Sequence, residues 1–338
     1  MDDLFDLVVP ETDLSESFGT VANWPGYAPA RAAMREVFAK MGKRDPNFVQ
    51  QFQTSGFDAR VSELYLFAAL DGVGLKVEAV GDAPDFLVRG RSSEWAVEAT
   101  TANPSGGGPV QPLPETPAEL QQYIDGELVV RLGSALFSKL NKRYWELPHV
   151  AGKPLVLAIQ NFASEDAQQL ADTALLDYLY GLRTFGEVDI DGHLNVFNAV
   201  INAHVGSKAI PSQFFAIQDA EHISAILWTN SGTVAKFARM GFQRGLDSQG
   251  IRMCRVGQRF VMNPDAHAPA QFSYEVGSRW EPWEEGIVVA HNPRANVPLQ
   301  LDVFPGVVHH ELNESGLISS TLPPFHAFRS RTAIVVSE

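Results

Sequence analysis

The 338-residue chain has a single cysteine, Cys254, which excludes an internal disulfide framework and a cysteine-built metal cluster and fits a reducing compartment. Its longest apolar runs fall well short of the about 18 residues that a membrane-crossing helix needs. The first thirty residues contain six acids and no base, the reverse of a secretory or transit signal. A cytoplasmic protein with no membrane association is therefore expected. There is no internal repeat and no low-complexity tract. The glycine-rich "SGGGP" at 105–109 has neither the spacing nor the lysine of a phosphate-cradling loop. No GxSxG marks a serine hydrolase, and His291, His309 and His310 lack the HExxH spacing of a zinc site. Cys254, between Arg252 and Arg255, has no base nearby in sequence to make it a nucleophile.

What is present is the composition of a folded protein: 45% hydrophobic and 20% charged residues exclude a disordered chain and allow one large or two ordinary cores. The net charge of -14 counts against unspecific binding of a polyanion. The charge is nevertheless segregated. Residues 236–259 carry Lys236, Arg239, Arg244, Arg252, Arg255 and Arg259 against Asp247 alone. Residues 131–153 carry Arg131, Lys139, Lys142, Arg143 and Lys153 against Glu146 alone. Local potential steers a phosphate backbone, so these are candidate nucleic-acid contacts; two solvated faces are the bland alternative.

Residues 1–56 read as an acidic extension packed on the main body. A dense helix follows at "ARVSELYLFAALDG", ended by Gly72 and Gly74. "LKVEAV", "PDFLVRG" and "EWAVEATT" read as three strands of a meander. A long helix is expected from about Ala118 to Trp145, then a doubly buried strand in "KPLVLAIQNF". A third helix is expected to start at a Ser164 cap, and "HISAILWTN" to form the next buried strand. The order is mixed α/β, with a core over 57–230 and a strand-rich region over 231–338. The aromatic and acidic "WEPWEEG" points to packing or a protein contact, because its acids would repel phosphate.

Asp85 and Glu98 are carboxylates set into otherwise apolar strands, where an unpartnered charge costs several kcal/mol, so each needs a partner. On a helical wheel Glu63 shares its face with Leu66, Phe67 and Leu70. Three acids meeting at one end of a small sheet repel one another unless a hard cation lies between them, and such oxygen sites suit Mg²⁺ or Mn²⁺. Each has a bland reading. Asp85 could cap a turn, Glu98 could lie on a wet sheet face, and Glu63 could pair with Arg60.

The αβββαβ order, the Pro84-Asp85 pair heading one strand and Glu98 thirteen residues later before Ala99 and Thr100 resemble the PD-(D/E)XK, or restriction-endonuclease-like, nuclease superfamily. The resemblance covers roughly residues 57–162, and up to 230. It implies a restriction-endonuclease-like core with a strand-rich C-terminal elaboration. It also implies Asp85 and Glu98 as metal ligands, the Ala99 carbonyl as a further ligand, and Glu63 as the helix acid some members use. The family's lysine position holds Thr100, whose hydroxyl can orient water but supplies no positive charge. Lys139, at the border of the apolar stripe of its helix, is the surrogate cation, with Lys142 next. The implied activity is Mg²⁺-dependent phosphodiester hydrolysis of nucleic acid, DNA first, in restriction or phage defence, with Arg131, Lys142, Arg143, Arg239, Arg244, Arg252 and Arg255 along the backbone. The alternatives are an inactive module of the same fold that binds nucleic acid, a protein partner or a second copy, and an unrelated α/β interaction protein.

Overall fold

A computed structural model describes residues 3–42, 45–80, 83–90, 93–104, 110–261 and 269–337, so the "SGGGP" stretch lies outside the described residues. The chain begins with three helices, α1 (Glu16–Asn23), α2 (Ala28–Met41) and α3 (Phe48–Gln53). Helix α4 (Phe57–Gly72) follows, with every residue from Val61 to Leu70 buried, and Gly74 takes a left-handed φ of 83° that turns the chain into the sheet. Strands β1 (Lys76–Ala79), β2 (Phe86–Arg89) and β3 (Glu94–Ala102) form the expected antiparallel meander.

The expected long helix is broken. Helix α5 (Pro117–Tyr123) passes through a π turn (Ile124–Leu128) into α6 (Val129–Leu140), and Tyr144–Glu146 forms a separate 3-10 turn. At Gly126 a Cβ atom would lie 2.3 Å from the Val205 carbonyl oxygen, so another backbone crosses the helix at the irregular turn. Strand β4 (Leu155–Asn161) is buried throughout, as its apolar run requires. Ser164 caps no helix: its hydroxyl accepts from Tyr123, and the third helix, α7 (Thr173–Tyr180), starts nine residues later.

Two hairpins follow, β5 (Leu182–Val188) with β6 (Leu194–Val200) and β7 (Ala203–Val205) with β8 (Ala209–Pro211). After β9 (Ala225–Thr229) a helix unforeseen from the sequence, α8 (Val234–Phe242), is capped by Thr233. The last strands are β10 (Ile251–Arg259), β11 (Ala270–Glu275), β12 (Ile287–His291), β13 (Val308–Leu312), β14 (Ile318–Thr321) and β15 (Ala327–Val336).

Eight strands make one mixed sheet in the order β1-β2-β3-β4-β9-β12-β13-β14, with β3, β4 and β9 parallel at its centre. A separate three-stranded sheet runs β11-β10-β15. Two apolar layers cover the large sheet. On one face Trp95, Val97 and Val156 pack against α1, α2, α4 and α8; on the other Ala96, Leu157 and Ile159 pack against α6 and α7. The protein is therefore mixed α/β around a large mixed sheet. Among the described residues no helix is long and apolar enough to cross a membrane.

Helices α2 and α8 touch backbone to backbone: a Cβ at Gly241 would lie 2.0 Å from the Pro29 carbonyl oxygen. Alanine gains about 1 kcal/mol of helix propensity over glycine, whereas overpacking costs about 1–3 kcal/mol or more. Gly241→Ala is therefore expected to destabilise by about 1–2 kcal/mol, read as a lower midpoint in urea unfolding.

Candidate active site

Pairing of Phe86 with Val97 sets Asp85, one residue before β2, beside Glu98 in the middle of β3. The backbone ties the two carboxylates together. Asp85 N–H donates to Glu98 Oε2 at 3.2 Å, and Ala99 N–H donates to Asp85 Oδ2 at 2.7 Å. Helix α4 brings Glu63 to the same place, and α6 delivers Lys139 from its last turn. Glu63, Asp85, Glu98, Ala99, Thr100 and Lys139 all line one pocket of about 360 Å³.

Glu98 is 5% exposed, because α6 covers the face of β3 that would otherwise be wet. Lys139 Nζ donates to its Oε1 at 2.5 Å, and the Tyr144 hydroxyl donates to the same atom at 2.7 Å. Burial, then the charges of Glu98 and Asp85, push the Tyr144 phenol up, so it stays protonated and donating. Glu63 is also buried and meets Arg60, whose Nη1 lies 2.5 Å from its Oε2 while Nη2 binds Asp45 at 2.7 Å. Burial raises the Glu63 carboxyl; Arg60 pulls it down, and Asp45 and Glu98 push it up again.

Asp85 receives the least compensation. Burial first, then Glu98 and Glu63, raise its carboxyl to about 8, against which the Ala99 N–H and Lys139 act only in part. The pocket thus has an unmet demand for positive charge at Asp85. Its donors are oxygens, the ligand type that hard divalent cations select. The fit concerns Asp85 and Glu98. Glu63 is turned to Arg60 and does not join them: among the described residues, the triads whose ligand atoms lie within 4.8 Å of one another are Asp189, Asp191, His193 and Asp219, Glu221, His222. The first triad is exposed beside the β5–β6 turn; in the second, Asp219 pairs with Arg143 and His222 stacks on Trp145.

The expected polyanion surface is not continuous. Arg239 and Arg255 are buried, at 4% and 1% exposure, in ion pairs with Glu281, and so form no part of an exposed basic surface. Those partners come from the "WEPWEEG" stretch, whose Trp283 packs edge-on against Phe237. Arg131 pairs with Glu127, Arg143 with Glu146 and Asp219, Arg244 with Glu36, and Arg252 with Glu275. Lys142 is exposed and is not among the residues that line the pocket. Sequence reasoning missed Tyr144, Asp45 and Gln51. Asp45 and Gln51 reach the pocket from the N-terminal segment, and Tyr144 is turned back by the left-handed Arg143 at φ 52°, for which no local motif gives a sign.

No family model, no curated protein and no solved structure matches the chain.

A carboxyl raised in the folded state stabilises below its unfolded value near 3.8, and that stability is lost as pH climbs through about 8. Asp85→Asn is therefore expected to raise stability in EDTA by about 1–3 kcal/mol at pH 8.5, with the gain gone by pH 4, read by thermal unfolding. Lys139→Met strips a cation from the buried Glu98. Such losses run to about 3–5 kcal/mol, and partial exposure of Lys139 reduces the expectation to about 1–3 kcal/mol at pH 7.

Proposed function

We propose that the protein is a divalent-metal-dependent phosphodiesterase acting on nucleic acid, DNA first, on a restriction-endonuclease-like core. The observation that carries this reading is the convergence of Asp85, Glu98 and Lys139 in one pocket at the join of β2 and β3. Asp85 and Glu98, with the Ala99 carbonyl, would hold Mg²⁺ or Mn²⁺. The ion supplies Lewis acidity and a water of lowered pKa.

The chain's own groups do the rest. Lys139 Nζ donates to Glu98 and borders the pocket, where it can also meet developing charge on a phosphoryl oxygen, the part that Thr100 cannot play. Tyr144 holds Glu98 Oε1 and leaves Oε2 toward Asp85. Thr100 lines the pocket with a hydroxyl able to orient water. Glu63 acts through Arg60 as a positioning group rather than as a ligand.

A second reading, a binding module without catalysis, draws on the fact that Lys139 and Tyr144 already satisfy one Glu98 oxygen. Incubation of the purified chain with plasmid, single-stranded DNA and RNA in Mg²⁺, Mn²⁺ or EDTA separates the two. Cleavage in metal only is expected, lost in Asp85→Asn and Glu98→Gln and reduced about 100-fold or more in Lys139→Met, with Thr100→Ala nearer wild type. Metal-dependent thermal stabilisation without cleavage of any substrate selects the binding module. Neither cleavage nor a metal effect rejects both.

A further inference from the structure

A second cavity, of about 420 Å³, opens beyond the C-terminal end of β9, with Asn230, Ser231, Arg239, Arg255, Ser330 and Thr332 among its walls. Behind it lies a buried charge cluster out of balance. Lys236, Arg239 and Arg255 are 0%, 4% and 1% exposed. They meet two buried carboxylates, Glu281 and Glu285, and the partly exposed Arg279 pairs with Glu285 from outside. Three buried cations thus face two buried carboxylates, with burial lowering the proton affinity of Lys236. A buried charge left uncompensated is strongly unfavourable, so the cluster calls for a further anion.

No described residue supplies it. Of the two acids on the cavity wall, Asp166 pairs with Arg331 at the rim and Asp172 with His310. Arg255 and Asn230 both line the cavity and, among the described residues, keep unpartnered polar atoms. Arg255 uses Nε on Ser330 and Nη1 on Tyr274, Glu281 and Glu285, and among the described residues Nη2 meets no acceptor. Asn230 donates to the Leu170 carbonyl, while its buried Oδ1 has no partner. The volume far exceeds what a single oxyanion needs and lies in the range of small-molecule sites.

We propose that this cavity binds a nucleoside phosphate, its phosphate oxygens on Arg255 and the Ser330 and Thr332 hydroxyls and its base edge against Asn230. Guanidinium and hydroxyl donors suit phosphate, and an amide suits a base edge. The nucleotide comes either free or as part of a strand. A groove that shares Asp166, Gln168, Thr233 and Ala235 with the cavity continues to Asp58 and Val61 of α4, next to Ala59 and Ser62 at the acidic pocket. The strand form alone rests on the hydrolase reading.

Calorimetric titration of the full chain in EDTA with a nucleoside monophosphate, a short single-stranded oligonucleotide and inorganic phosphate tests this. One nucleotide per chain is expected, weakened about tenfold or more in Asn230→Asp, which sets a negative charge in the cavity, and in Arg255→Gln. Asp85→Asn should bind the mononucleotide as wild type. Binding of the oligonucleotide alone, lost in Asn230→Asp, supports the strand form; binding of the mononucleotide supports the free form. No binding of any probe at millimolar concentration, or binding that neither substitution weakens, overturns the proposal. Inorganic phosphate binding as tightly as the mononucleotide overturns the nucleoside assignment. Because EDTA and Asp85→Asn silence the acidic pocket, failure here leaves the hydrolase reading standing, and failure of cleavage leaves this site standing.

Discussion

The hydrogen bond from Ala99 N–H to Asp85 Oδ2, with its reciprocal from Asp85 N–H to Glu98 Oε2, is the constraint on which the acidic pocket depends. Strand register imposes it. Because β2 and β3 pair Phe86 with Val97, two carboxylates thirteen residues apart are held side by side whatever their mutual repulsion. A one-residue slip would send Glu98 to the opposite face and dissolve the pair. Burial of Trp95 and Val97 on one side of β3 and Ala96 on the other makes such a slip costly, so the hydrophobic core enforces an electrostatically unfavourable contact.

The rest of the pocket answers that contact. Lys139 and Tyr144 converge on one oxygen of Glu98, and Arg60 bridges Glu63 and Asp45. Asp85 is left with a backbone N–H and the charge of Lys139, against which burial and the neighbouring carboxylates raise its carboxyl to about 8. An ionisable group perturbed by burial and like charges within a cavity is a candidate functional group. The cluster around Glu281 shows the opposite imbalance, with cations in excess, and it too borders a cavity.

The two regions share one architectural cause. Parallel strands β3, β4 and β9 end on the same side of the sheet, and open α/β sheets leave crevices there. The acidic pocket lies along β3 and the cationic cavity beyond the end of β9. Helix α8 and the strands after it serve the second cavity as α4 and α6 serve the first.

Much was legible in the linear chain. The alternation of "EWAVEATT", the glycine stop after α4 and the unbroken apolar run of β4 are local signals, and local signals determine element type. Asp85 and Glu98 stood out because an acid in an apolar strand is anomalous without any knowledge of neighbours. Tertiary structure decided what no local pattern encodes. It brought Asp45 in from the N-terminal segment and buried Arg239 and Arg255 against "WEPWEEG" instead of on an exposed basic surface, whereas the Glu63–Arg60 pair, three residues apart on one helix, was open to a local reading. The physical reason is that periodicity reports which face of an element is apolar, whereas the partner of a charge is set by which other element packs there.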